Sequence, residues 1–153
     1  MGVIADISKA LLSAIKLALK TAAARKREAL RVERMLSQLR AELFANRDSA
    51  SGLLQGGKLG GLKANDPAWA KTLARFKTAA MAEVSGCPRA YRFKPSPKAA
   101  AFLDLLSLTL HKIDALRKLS AMGNKELAQY PKARLAVRVK HLSRCLEKLV
   151  KQA

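Results

Sequence analysis

Apolar residues recur every three or four positions from Ile4 to Leu43, which is the period of one helix face. The register runs through Ile4, Ser8, Leu11, Ile15, Ala18, Ala22, Arg25, Ala29, Val32, Leu36, Leu39 and Leu43, with Ser8 and Arg25 as its polar members. This predicts one long helix from about Val3 to Asn46. A sustained heptad-like seam calls for partner helices rather than an isolated amphipathic peptide. The alanines in its middle permit close approach of a neighbour, and Arg25 marks either a kink or a polar contact. The pattern lapses over about 47–65. Gly52, Gly56, Gly57, Gly60 and Gly61 there predict a flexible connection, and Leu53, Leu54, Leu59 and Leu62 predict that it docks somewhere.

Helical period returns at Asp66 and Pro67, a capping residue followed by a residue suited to the first helical position. Trp69, Leu73, Phe76, Ala80 and Val84 form the expected buried stripe of a second helix that ends at Gly86. A loop, Cys87 to Pro95, follows. Ser96 and Pro97 open a third helix, which runs to about Met122 and stops at Gly123. Phe102, Leu103, Leu106, Leu110, Ile113 and Leu116 make it the most apolar element. A short helical turn from Asn124 is broken by Tyr130 and Pro131. The final helix runs to about Val150 on a seam of Leu135, Val139, Leu142, Leu146 and Leu149. The expected fold is all-α: a single domain over 1–153, an antiparallel helical bundle of about four main helices with a long N-terminal helix and a Gly-rich loop.

Charge changes the picture from fold to partner. The chain has 153 residues, with 30 Lys and Arg against 11 Asp and Glu, a formal net charge of +19. A compact fold with that charge repels itself, and a polyanion relieves the repulsion. On the first helix Lys9, Lys16, Lys20, Arg27, Arg31 and Arg34 fall within an arc of about 60° opposite the apolar seam, with no acid between them. As one helix this is a positive rod of roughly 37 Å at 1.5 Å per residue. Ordinary solvated faces mix signs, so the stripe favours a polyanion. The final helix carries a second stripe, Lys140, Arg144, Lys148 and Lys151. The loop residues Arg89, Tyr91, Arg92, Phe93 and Lys94 interleave cations with aromatics. That composition suits base stacking and phosphate contact on a single strand, or simple anchoring of the loop to the bundle.

Other chemistry is weakly signalled. Gly52 to Leu59 approaches a phosphate-loop spacing, but Leu59 lacks the magnesium-binding hydroxyl and no strand precedes it. His141 and Cys145 stand four apart on one helix, with Cys87 and His111 elsewhere. There is no CxxC pair, and no metal site or cofactor is expected. The acids are scattered without an acid–base couple, so no enzyme activity is expected. Two distant cysteines fit reduced thiols in a cytoplasmic protein. No apolar run approaches the roughly 20 residues of a spanning helix, and a membrane location is not expected. In size, helicity and charge the chain resembles the small helical subunits of CRISPR effector complexes and the basic helical-bundle accessory proteins of retroelement reverse transcriptases. The resemblance is one of architecture and carries no motif. The expected function is non-enzymatic binding of nucleic acid, RNA or single-stranded DNA favoured, through its phosphate backbone, within a complex of other protein subunits. The alternative is a protein-interaction or anionic-membrane-surface module that uses the basic first helix.

Overall fold

The computed structural model describes residues 2–55, 67–122, 125 and 135–153; for 55, 67–70, 135 and 136 it describes the backbone alone. The expected glycine loop beyond Gln55, the Asp66 cap, the Trp69 side chain, the turn after Asn124, the Tyr130–Pro131 break and the start of the last helix lie outside these. Every regular element among the described residues is helical: α1 (Val3–Ala18), α2 (Ala22–Gln55), α3 (Pro67–Arg75), α4 (Ala79–Ser85), α5 (Cys87–Ala90), α6 (Pro97–Ala121) and α7 (Leu135–Gln152). The all-α class holds. Among the described residues there are seven helices of four residues or more, against about four main ones expected.

The first correction is to the long N-terminal helix. Leu19 adopts an extended backbone (φ −110°, ψ 130°), and the chain breaks between α1 and α2. Two side chains hold the break. Thr21 Oγ1 accepts the Ala24 N–H at 3.2 Å, an N-cap for α2, and the Arg25 Nε donates to the Leu19 carbonyl at 2.7 Å. Arg25, the polar interruption of the seam, is therefore a polar contact at a sharp reversal. Gly2 lies against the carbonyl of Ala153, and that same carbonyl accepts from Arg40 at 3.3 Å. The start of α1 thus sits beside the middle of α2, and the two form an antiparallel hairpin instead of a single rod. At its other end α2 continues as helix through Gly52 to Gln55, where the sequence suggests a linker.

The second correction is to the helix expected from Pro67 to Gly86. It starts at Pro67 but divides into α3 and α4 at Phe76–Thr78. The backbone groups freed there are taken by residues distant in sequence. Asn46, fully buried on α2, donates from its amide to the Lys77 carbonyl at 2.8 Å and accepts the Lys77 N–H at 2.9 Å. The buried Glu42 carboxylate accepts the N–H groups of Ala80 and Met81, both at 3.0 Å, and so caps α4. From α6, the Arg117 guanidinium donates to the carbonyls of Leu73 and Phe76 and to the Thr78 hydroxyl. Buried backbone groups without partners are costly. These three side chains let the chain bend without that cost. The expected loop after Gly86 is in part the short helix α5.

The core joins all the long elements. Val3, Ile4, Ile7, Leu11 and Ile15 come from α1; Val32, Met35, Leu36, Leu39 and Leu43 from α2. Phe102, Leu103, Leu106, Ile113 and Leu116 come from α6, and Val139, Leu142, Leu146 and Leu149 from α7. The last two sets are the seams read from the sequence, except for Leu110, which is partly buried against the core, and Leu135, whose side chain lies outside the described residues. Ser96 caps α6 by accepting the Ala99 N–H at 3.3 Å, with Pro97 in its first turn. Both α1 and α7 pack on α2 and α6. With Gly2 against Ala153, they follow one another end to end in a single column.

Candidate nucleic-acid interface

The break after α1 divides the basic stripe of the first forty residues. Lys9 and Lys16 lie on the face of α1 opposite its buried residues, Lys20 lies in the link, and all three are exposed. Arg27, Arg31 and Arg34 lie on the flank of α2 that faces α4. They line a cleft of about 560 Å3 together with Leu30, Met35, Gln38 and Glu83. Successive arginines are about 6 and 4.5 Å apart along the helix axis, at 1.5 Å per residue.

Within this set the three arginines differ. Arg31 sits 3.6 Å from Glu28, three residues back on the same helix, and 3.6 Å from Glu83 of α4, which only tertiary folding brings to it. Its side chain remains 64% exposed, and such pairs contribute little to stability in solvent. Among the described residues, Arg27 and Arg34 have no ion-pair partner. Cations of this kind are open to an external anion.

A second cleft, about 520 Å3, adjoins the first through Arg27. Its floor is small and apolar: Ala14, Ile15, Ala18 and Leu19 from the end of α1, and Ala24 from α2. Tyr91 and Arg92 close its other side. The Tyr91 hydroxyl donates to Glu28 Oε1 at 3.0 Å, which fixes the ring. Burial, first, and then the hydrogen bond to Glu28 raise the Tyr91 phenol above its ordinary range, so it stays a protonated donor. Arg92 has φ 53°, the one non-glycine residue with positive φ among those described. A left-handed conformation costs an L-residue about 1–2 kcal/mol. Here it turns the chain between Tyr91 and Phe93, both of which pack on the core.

The sequence-derived residues therefore fall into three groups. Arg27, Arg31, Arg34 and Arg92 share two adjoining clefts, flanked by Arg89 and Lys94, which are exposed. Lys9 and Lys16 on α1, with Lys20 in the link after it, and Lys140, Arg144, Lys148 and Lys151 on α7, are exposed along the α7–α1 column and its end. Tyr91 and Phe93 are half-buried, so each ring already has one face committed to the protein. The sequence does not single out Ala14, Ala18, Leu19 and Ala24 as cleft floor. Small residues in a seam read as helix-contact positions, and only the reversal at Leu19 turns them into a floor.

The thiols are unbridged; Cys87 is fully buried, and burial pushes it up to about 12. Cys145 is half-buried and His141 exposed on α7, while His111 Nδ1 lies 2.8 Å from the Ser107 carbonyl. No three His, Cys, Asp or Glu residues among those described gather as metal ligands. Among the described residues no helix is long and apolar enough to cross a membrane. No family model, curated protein or solved structure matches this chain.

Proposed function

We propose that this chain is a non-enzymatic nucleic-acid-binding protein that engages the phosphate backbone, RNA or single-stranded DNA in preference to duplex. In this reading it serves as a small subunit of a cytoplasmic nucleoprotein complex. The observation that carries the reading is the arginine flank of α2. Arg27 and Arg34 are without ion-pair partners among the described residues, Arg31 lies between them, and Arg92 borders the adjoining cleft. Guanidinium groups take phosphate in planar, paired hydrogen bonds. The net charge of +19 supplies a long-range field that draws a polyanion in. The outward cations of α1 and α7 extend that field, without base contacts of their own. Leu17, 90% exposed, and Leu30, 48% exposed, are apolar surface for a neighbouring subunit.

Fluorescence anisotropy tests the reading, with labelled single-stranded RNA, single-stranded DNA and duplex DNA titrated at several salt concentrations. Each single-strand phosphate contact adds about −0.7 to the slope of log K against log salt. Three to four arginine contacts give a slope of about −2 to −3. Absence of salt-dependent binding to every nucleic acid overturns it. A second reading, a module for acidic proteins or anionic lipid, draws on Leu17 exposed beside Lys16 and Lys20. Vesicles of anionic phospholipid in the same titration favour that reading if they bind and nucleic acids do not.

A further inference from the structure

The apolar cleft beside Arg27 has features that phosphate contact alone does not need. Its volume of about 520 Å3 lies within the range of sites that enclose small organic groups, about 300–1,000 Å3. Its floor is made by the shortest side chains of the α1–α2 reversal, Ala14, Ala18 and Ala24. Ile15 and Leu19 border these alanines. One wall is the Tyr91 ring, held in place by the bond from its hydroxyl to Glu28. Two guanidinium groups, Arg27 and Arg92, also line it, with the Glu28 carboxylate occupied by the Tyr91 hydroxyl. Arg92 is held there by a backbone conformation that disfavours any side chain other than glycine's. A flat apolar body with an anion on either side matches this arrangement.

We infer that the cleft receives one unstacked nucleobase of a single strand, with the phosphates on its two sides bound by Arg27 and Arg92. The inference rests on the reading of the chain as a nucleic-acid binder. It assigns that reading its substrate class: single strands, whose bases are free to turn out. A duplex keeps its bases stacked and offers the cleft nothing without paying for extrusion. The strand continues from Arg27 along Arg31 and Arg34, because Arg27 borders both clefts. A base against Tyr91 adds sequence-tolerant stacking to a sequence-independent phosphate contact. Selectivity for strandedness then comes from the cleft, and salt dependence from the arginines.

The two contributions separate experimentally. The probes are a fluorescein-labelled single-stranded DNA 12-mer, the same length of strand made of abasic nucleotides, and a duplex of the same sequence. The abasic strand keeps every phosphate and has no base to insert. The full-length protein is expected to bind the base-bearing strand about tenfold more tightly than the abasic strand or the duplex. Ala24→Leu fills the floor with a side chain that favours helix. It is expected to remove that tenfold preference and to leave the salt slope on the abasic strand unchanged. Ala18→Leu, at an exposed position on α1, does the same with α2 left unaltered in sequence and guards against a folding defect in the first variant. Circular dichroism checks both. Equal binding of base-bearing and abasic strands by the unmodified protein overturns the inference. So does a preference that survives both leucines. Salt-dependent binding of all three probes with no preference leaves the phosphate reading standing and removes only the cleft. No salt-dependent binding to any probe overturns both.

Discussion

Helix α2 carries polar side chains to two different ends. Near its middle, Glu42 and Asn46 are buried and bond to the backbone at the α3–α4 bend, with one further bond from the Asn46 amide to the Met81 sulfur. Near its start, Arg27 and Arg34 are exposed and have no ion-pair partner among the described residues. The first pair closes an internal deficit that the chain itself creates by bending. The second creates an excess that only something outside the chain can balance. The same helix thus separates groups that hold the fold from groups that are open to a ligand. The dividing criterion is whether a backbone partner lies within reach. Arg31, paired with Glu28 and Glu83 yet 64% exposed, stands between the two types.

The sharpest test of this division is on its structural side. Glu42→Ala leaves two buried N–H groups without acceptors and is expected to destabilise the fold by about 3 kcal/mol. Chemical denaturation measures it. Glu42→Gln keeps one acceptor and costs less. Per folded molecule, neither change alters affinity for a nucleic acid. The complementary change is Arg27→Glu with Arg34→Glu. It is expected to weaken single-strand binding on the order of 30-fold in about 0.1 M salt and to shift stability by no more than about 0.5 kcal/mol. If the double reversal unfolds the protein while Glu42→Ala does not, the division is misplaced.

An effect confined to alkaline pH concerns the buried thiol. Cys87 ionises in the unfolded chain near 9 and in the native fold only at about 12. Between these values the native state holds the extra proton, so stability falls as pH rises from 9 toward 12. Below 9 both states are protonated and there is no contribution. Denaturation of the protein and its Cys87→Ala variant is expected to give a gap that is constant below pH 9 and narrows, or reverses, above it. The smallest effect is at Arg92. Arg92→Gly relieves the φ 53° conformation and adds backbone entropy to the unfolded chain, for a net gain of at most about 1 kcal/mol. It also weakens single-strand binding by removing a cation from the cleft. A gain in stability with a loss in affinity places Arg92 with the arginines of α2.

Much of this fold is legible from the chain. Pro67, Ser96 and Pro97 mark helix starts where α3 and α6 begin, and Phe102, Leu103, Leu106, Ile113 and Leu116 of α6 and Val139, Leu142, Leu146 and Leu149 of α7 lie in the core as read. The two breaks are harder to read, each for its own reason. At Leu19–Thr21 the heptad register passes through unchanged, with Ala18 and Ala22 on either side and no glycine or proline. The local signals are slight: Thr21 as a cap and Arg25 out of pattern. At Phe76–Thr78 no local signal exists, because the groups that stabilise the bend, Glu42, Asn46 and Arg117, lie more than thirty residues away. The cations of the candidate interface are legible as exposed charge. Their grouping is not, because it depends on the first of these breaks.

Where α7 ends, α1 begins: the carbonyl of Ala153 touches Gly2, so closely that a Cβ on Gly2 would strike it. The two helices run in the same direction, and the negative end of one peptide dipole meets the positive end of the next. The bundle is thus close to a ring. A permuted chain that joins residue 153 to residue 2 through a short glycine linker, and opens within 56–66, would order its helices α3 to α7, then α1 and α2, and build the same core. In that chain α7 and α1 become neighbours in sequence as they are in space. The loop closed by their contact shrinks from most of the chain to a few residues, and folding is expected to accelerate accordingly.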